Sequence, residues 1–139
     1  MRITGLPVPL NPGTSSTRTV ADAPHGFPCR RCLTDALPGE PLLLLSYDPW
    51  TVDSPYRQPG PVFVHERQCP TVSASELQDQ QRRRLLSVRA FDASGMPRAA
   101  FVTKGSDLDL DRLLSDPQVS FVHLHNAGPG CFSARVDRG

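Results

Sequence analysis

The side chains able to do chemistry are concentrated in a few places. Cys29 and Cys32 form a C-x-x-C pair, a spacing that lets two thiolates on one tight turn occupy two vertices of a tetrahedral metal site. That is half of a zinc site, and the sequence holds no second C-x-x-C. The other half can come from His125 and Cys131, at the two ends of a predicted hairpin loop, or from His65 and Cys69, in H-x-x-x-C spacing. Opposed hairpin residues have Cβ atoms about 4.5–5.5 Å apart. Cys29, Cys32, His125 and Cys131 are therefore the set taken forward as metal ligands, with zinc as the cofactor. Four protein ligands leave no vertex for water, so such a site is structural.

The same side chains admit a catalytic arrangement. A cysteine nucleophile needs a nearby cation or base. Cys131 is expected beside His125, and Cys29 precedes Arg30 and Arg31, so Cys131, His125 and Cys29 are the catalytic candidates of a cysteine-dependent enzyme or redox protein. Against this, a thioredoxin-type C-x-x-C follows a strand, whereas His25-Gly-Phe-Pro28 reads as loop, and no Asn or Asp is identifiable to orient the histidine. His123 and His125 alternate along one predicted strand and share a face, which suits two imidazoles on a metal or phosphate. Val119 and Phe121 fall on that side too, so the face can equally be buried. Arg30, Arg31, His123 and Arg135 make the candidate binding set for a small acidic ligand or a protein partner.

Other patterns fail on chemistry. Asp107-x-Asp-x-Asp111 opens like a calcium loop, but Arg112 stands where glycine is needed and Gln118 where the bidentate glutamate is needed. Arg82-Arg-Arg84 lacks interleaved aromatics and sits at a predicted helix carboxy terminus, where cations belong in any case. The formal net charge of +1 supplies no long-range field for nucleic acid or an anionic membrane, so neither is an expected partner. All but one of the 15 basic residues are arginine, Lys104 being the exception; arginine favours planar contacts to carboxylate or phosphate. The amino terminus is broken by prolines rather than carrying a signal peptide's apolar run, and no stretch approaches the ~18 apolar residues of a membrane span. The expected location is the cytoplasm, where free cysteines stay reduced unless they bind metal or react.

These residues need elements to position them. Residues 1–24 carry Pro7, Pro9, Pro12 and Pro24 around a Gly-Thr-Ser-Ser-Thr tract, without apolar periodicity, and read as a flexible proline-rich arm. Residues 25–139 then read as one domain of a size that builds its own core. A short helical turn is expected within 27–36, strands at Leu42–Tyr47 and Val62–Glu66, and a helix from Ser75 to Arg84. A hairpin follows, Leu85–Asp92 and about Arg98–Thr103 around Asp92-Ala-Ser-Gly95, then a short helix using Leu110, Leu113 and Leu114. The last pair, Val119–His125 and Cys131–Val136, flanks Asn126-Ala-Gly-Pro-Gly130. Strands interleaved irregularly with two short helices predict an α+β fold with a mostly antiparallel sheet.

Six segments in order carry a resemblance: Phe27-Pro-Cys-Arg30, Pro38-Gly-Glu40, Leu43-Leu-Leu-Ser-Tyr47, Ser54-Pro-Tyr56, Gly60-Pro-Val-Phe-Val64 and Gly130-Cys-Phe-Ser-Ala-Arg-Val136. Together they resemble the bacterial family of uncharacterised proteins catalogued as domain of unknown function 1203, over about residues 26 to 139. The resemblance implies a domain extent and brings no activity, cofactor or catalytic residue with it. The sequence thus leads to a small binding domain whose four cysteines either hold zinc or stay reduced and packed as small apolar side chains, with a cysteine-dependent enzyme as the competing class.

Overall fold

The computed structural model describes residues 1–7 and 16–139. Among these residues the strands form two antiparallel sheets. The apolar run that predicted a strand forms β3 (Pro41–Tyr47), paired with β2 (Thr17–Val20) on one side and β4 (Gly60–His65) on the other. The two apolar runs expected as strands pair with each other, Leu43 opposite Val64 and Leu45 opposite Val62. The fully buried residue of β3 is Leu42, and Leu44 is half-buried.

The larger sheet contains β1 (Arg2–Thr4), β5 (Ser73–Ala74), β6 (Leu85–Phe91), β7 (Pro97–Lys104), β8 (Phe121–Asn126) and β9 (Phe132–Asp137), in the order β5-β1-β9-β8-β6-β7. Two short helices, α1 (Asp79–Arg82) and α2 (Leu110–Leu114), complete the α+β fold. One face of this sheet carries the main core, built from Ile3, Leu86, Val88, Ala90, Val122, Leu124, Ala134 and Val136, with Leu110 of α2 packed among them. Central strand β8 is buried along its whole length, because Trp50, Phe91 and Phe121 cover the other face.

Three expectations are corrected. The helix expected over 75–84 is a single turn, Asp79–Arg82, because its N-cap is Gln78 rather than a residue at 75, leaving the chain from Ser75 to Leu77 outside it. The turn expected within 27–36 is not helical: Cys29 N–H bonds Thr34 O and Ala36 N–H bonds Phe27 O, closing a narrow loop. The arm reading fails where the chain is described: β1 lies inside the sheet between β5 and β9 with Ile3 fully buried, and β2 pairs along β3. Residues 8–15 of that expected arm lie outside the described residues.

Candidate metal centre and adjoining cleft

The C-x-x-C turn is folded back so sharply that Leu33, just after it, adopts a left-handed φ of 56°, a conformation that costs a non-glycine residue roughly 1–3 kcal/mol unless its surroundings hold it. Leu33 is buried in the main core, which anchors the turn from beneath. The chain on either side is stitched to its neighbours through the backbone. Arg30 N–H reaches Phe63 O of β4, Leu6 N–H reaches Arg30 O, and Val72 N–H reaches Arg31 O. The amino-terminal segment comes so close that a Cβ on Gly5 would lie 2.1 Å from Arg31 O.

This stitching brings Cys29 and Cys32 against His65, the last residue of β4, and Cys69, in the loop beyond it. Their ligand atoms all lie within 4.8 Å of one another and all four residues are buried. A tetrahedral centre with metal–sulfur bonds of ~2.3 Å has sulfur–sulfur edges of ~3.8 Å and sulfur–nitrogen edges of ~3.5 Å. Cys29 Sγ and Cys69 Sγ are 3.7 Å apart, and Cys32 Sγ and His65 Nδ1 are 3.4 Å apart. On the far side of the His65 ring, Nε2 lies 3.5 Å from Glu40 Oε1, an ion-pair distance that makes no hydrogen bond. A carboxylate behind a histidine is the arrangement that orients metal-bound imidazoles.

The sulfurs are also supplied with donors. His65 N–H donates to Cys29 Sγ, Arg31 Nε donates to Cys69 Sγ at 3.2 Å, and Thr34 Oγ1 sits 3.0 Å from Cys32 Sγ. Arg31 also donates to the carbonyls of His65 and Arg67, clamping the ligand-bearing loop. Within the cluster, the closeness of the Cys29 and Cys32 thiols and the donors around Cys32 pull Cys32 below the ordinary thiol range. The same closeness, together with burial, pushes Cys29 above it. Of the two thiols of the turn, Cys32 is the one favoured as thiolate, and Arg31, on Cys69 Sγ, is the cation beside the cluster.

The expected ligand set is therefore redrawn. Cys29 and Cys32 meet His65 and Cys69, while His125 and Cys131 stand outside the cluster. The hairpin register keeps these two from facing each other: Leu124 pairs Ala134 and His125 pairs Phe132, with Ser133 an extra residue in β9. Cys131 then falls beside Asn126, whose N–H bonds Cys131 O, instead of facing His125. Residues 65 and 69 carried a legible signal in their H-x-x-x-C spacing; what the spacing lacked was the placement of β4 alongside the C-x-x-C turn.

The family described as protein of unknown function (DUF1203) matches residues 26–138. The chain belongs to this family. Among curated proteins and among solved structures nothing matches. All four clustered residues lie inside the matched stretch of the family, whereas β1 and Gly5, which dock against the turn, lie before it.

The remaining sequence candidates occupy different places. Cys29 is fully buried, so no substrate touches its thiol in this conformation. His125 Nδ1 lies 3.0 Å from Gly130 O, and burial lowers its pKa to about 4. His123 is wholly buried among Trp50, Phe121 and Phe132 with neither ring nitrogen hydrogen-bonded, and burial, reinforced by Arg135, lowers it to about 3. Arg135 pairs with Asp137 and lies over the Phe121 ring.

Arg30 and Cys131 meet at a separate cleft of about 410 Å³, between the turn before Cys29, Arg84 and the hairpin loop Asn126–Cys131. Arg30 Nε donates to Phe132 O, Nη1 to Pro28 O and Nη2 to Cys131 Sγ at 3.0 Å. Among the described residues no helix is long and apolar enough to cross a membrane.

Proposed function

We propose that the protein is a small binding domain whose C-x-x-C turn is fastened by a structural zinc ion held by Cys29, Cys32, His65 and Cys69. The observation that carries this is the convergence of four buried ligand atoms at separations matching the edges of a tetrahedral zinc site. The charges agree as well. Three thiolates and one dication leave a single negative charge, and buried Arg31, which donates to Cys69 Sγ, neutralises it. Four protein ligands close the coordination sphere, so the metal would join the turn to β4 and the loop after it rather than activate water.

Protein purified without chelator should contain close to one zinc per chain. Cys69→Ser should lower the zinc content and the melting temperature together, the latter by about 10 °C or more. Cys131→Ser should keep the metal, which separates this ligand set from the one expected from spacing. Metal-free protein with a silent Cys69→Ser, or a Cys29–Cys69 disulfide recovered from reducing buffer, would overturn the proposal.

A further inference from the structure

Arg30 is a buried cation that no carboxylate among the described residues balances. Its residue is 2% exposed, and among the described residues no carboxylate lies within ion-pair distance of it. A buried cation without an anion is strongly unfavourable. Its three hydrogen bonds, to Phe132 O, Pro28 O and Cys131 Sγ, use three of the five N–H hydrogens that a guanidinium carries. Two hydrogens are uncommitted, and the residue lines the cleft. Asn126 lines it too, is 7% exposed, and its Oδ1 has no hydrogen-bond partner. Among the described residues, the cleft thus holds a buried cation with no carboxylate partner and a buried acceptor with no donor.

The neighbouring cation does not share this condition. Arg84 Nη2 lies 2.8 Å from Asp35 Oδ1, a contact too poorly angled for a hydrogen bond, while Nη1 bonds Asp35 Oδ2 at 3.2 Å. Asp35 also receives His25 Nδ1 at 3.2 Å. One carboxylate therefore serves Arg84 and His25, and none serves Arg30. The rest of the wall is apolar, with Phe63, Leu85 and Pro129 among its residues.

We infer that this cleft binds a small carboxylate bearing a hydroxyl or amino group on a short apolar body, with the carboxylate on Arg30 and the donor group on Asn126 Oδ1. The inference gives a ligand to the binding-domain reading, on which it rests, and is independent of the zinc. Arg30 would supply a charge-assisted pair of hydrogen bonds, the contact that suits guanidinium and carboxylate geometry. Cys131, half-buried beside Arg30 Nη2, serves as a built-in reporter of what enters.

The test compares alkylation of Cys131 by iodoacetate and by iodoacetamide, read by peptide mass spectrometry. In the urea-unfolded chain iodoacetamide should be the faster reagent, since an anion is repelled by a thiolate. In the native protein the order at Cys131 should reverse, with iodoacetate favoured by about tenfold, as one charge-assisted contact provides. Mandelate, a hydroxy acid with a phenyl body, should protect Cys131 from iodoacetamide, and mandelamide should not. Asn126→Ala should weaken protection by mandelate while the preference for iodoacetate persists. An unreversed order in the native protein, or equal protection by mandelamide, would sink the inference. Cys29, Cys32 and Cys69 report separately in the same experiment: their labelling in native protein would count against the zinc centre, whereas the order of reagents at Cys131 alone decides for or against the cleft.

Discussion

His123 sits in an all-aromatic nest, its ring 5.1 Å from Trp50 and 5.2 Å from Phe132 between centroids, with two unpaired nitrogens. Such a site tolerates only the neutral imidazole, and the folded-state pKa of about 3 expresses this. An unfolded histidine titrates near 6.5. The folded pKa is depressed, so the contribution of the neutral ring is complete above about pH 6.5 and is lost as pH falls from there through about 3, at about 1.4 kcal/mol per pH unit. His125, lowered to about 4, adds a second loss in nearly the same window. His123→Phe replaces the unpaired nitrogens with carbon in a ring-lined site, and removing both sides of an unmade hydrogen bond is near neutral or stabilising. Urea unfolding at pH 7 should therefore shift by less than about 1 kcal/mol or move upward, and the fall in stability between pH 6 and pH 4 should shrink by roughly half. A loss above about 2 kcal/mol at pH 7 would mean that the imidazole has a partner it needs. From sequence, the alternation of 123 and 125 was readable but their surroundings were not, because Trp50 comes from a proline-punctuated loop far away in the chain.

Among the elements, the long strands were legible and the short pieces were not. β3, β4, β6 and β9 announce themselves by dense apolar or β-branched runs, within a residue or two of their observed ends. β1 is three residues with one buried side chain, Ile3, too few to show any period. The bulge at Ser133 was equally hidden, since its residues are unremarkable in type and only the pairing on both flanks exposes it. Yet the amino-terminal segment is held tightly, with Gly5 N–H on Val72 O and Leu6 N–H on Arg30 O. Gly5→Ala tests how firmly. The added methyl would meet Arg31 O at 2.1 Å, and since both atoms belong to backbone held on two sides, relief requires separating β1 from the C-x-x-C turn. The expected loss is about 2–3 kcal/mol, the range of overpacked sites, accompanied by weaker zinc retention. A change under about 0.5 kcal/mol, typical of an exposed position, would restore the picture of a loosely attached amino terminus.

At the scale of the whole molecule, the candidate centre lies where three pieces meet: the amino-terminal segment through Leu6, the small sheet through Val62 and Val64, and the large sheet through Phe132. Arg30 ties the same seam, its N–H on Phe63 O of β4 and its Nε on Phe132 O of β9. The main core lies elsewhere, between β1, β6, β8, β9 and α2, and uses none of the four ligands. A chain of 139 residues buries enough surface to hold such a core without a staple, so on the proposed zinc reading, metal removal should loosen the seam and spare the core. Cooperative units open separately when few contacts couple them, and hydrogen exchange reads each one. After treatment with EDTA, the amides of Leu6, Cys29, Arg30 and Val72, whose bonds cross or close the seam, should lose most of their protection. Those in the ladder between β6 and β8, such as the paired Val88 and Leu124, should keep theirs. Uniform loss across both groups would make the metal a condition of the entire fold, and unchanged protection at the four seam amides would mean that the cysteine cluster holds its turn closed without it.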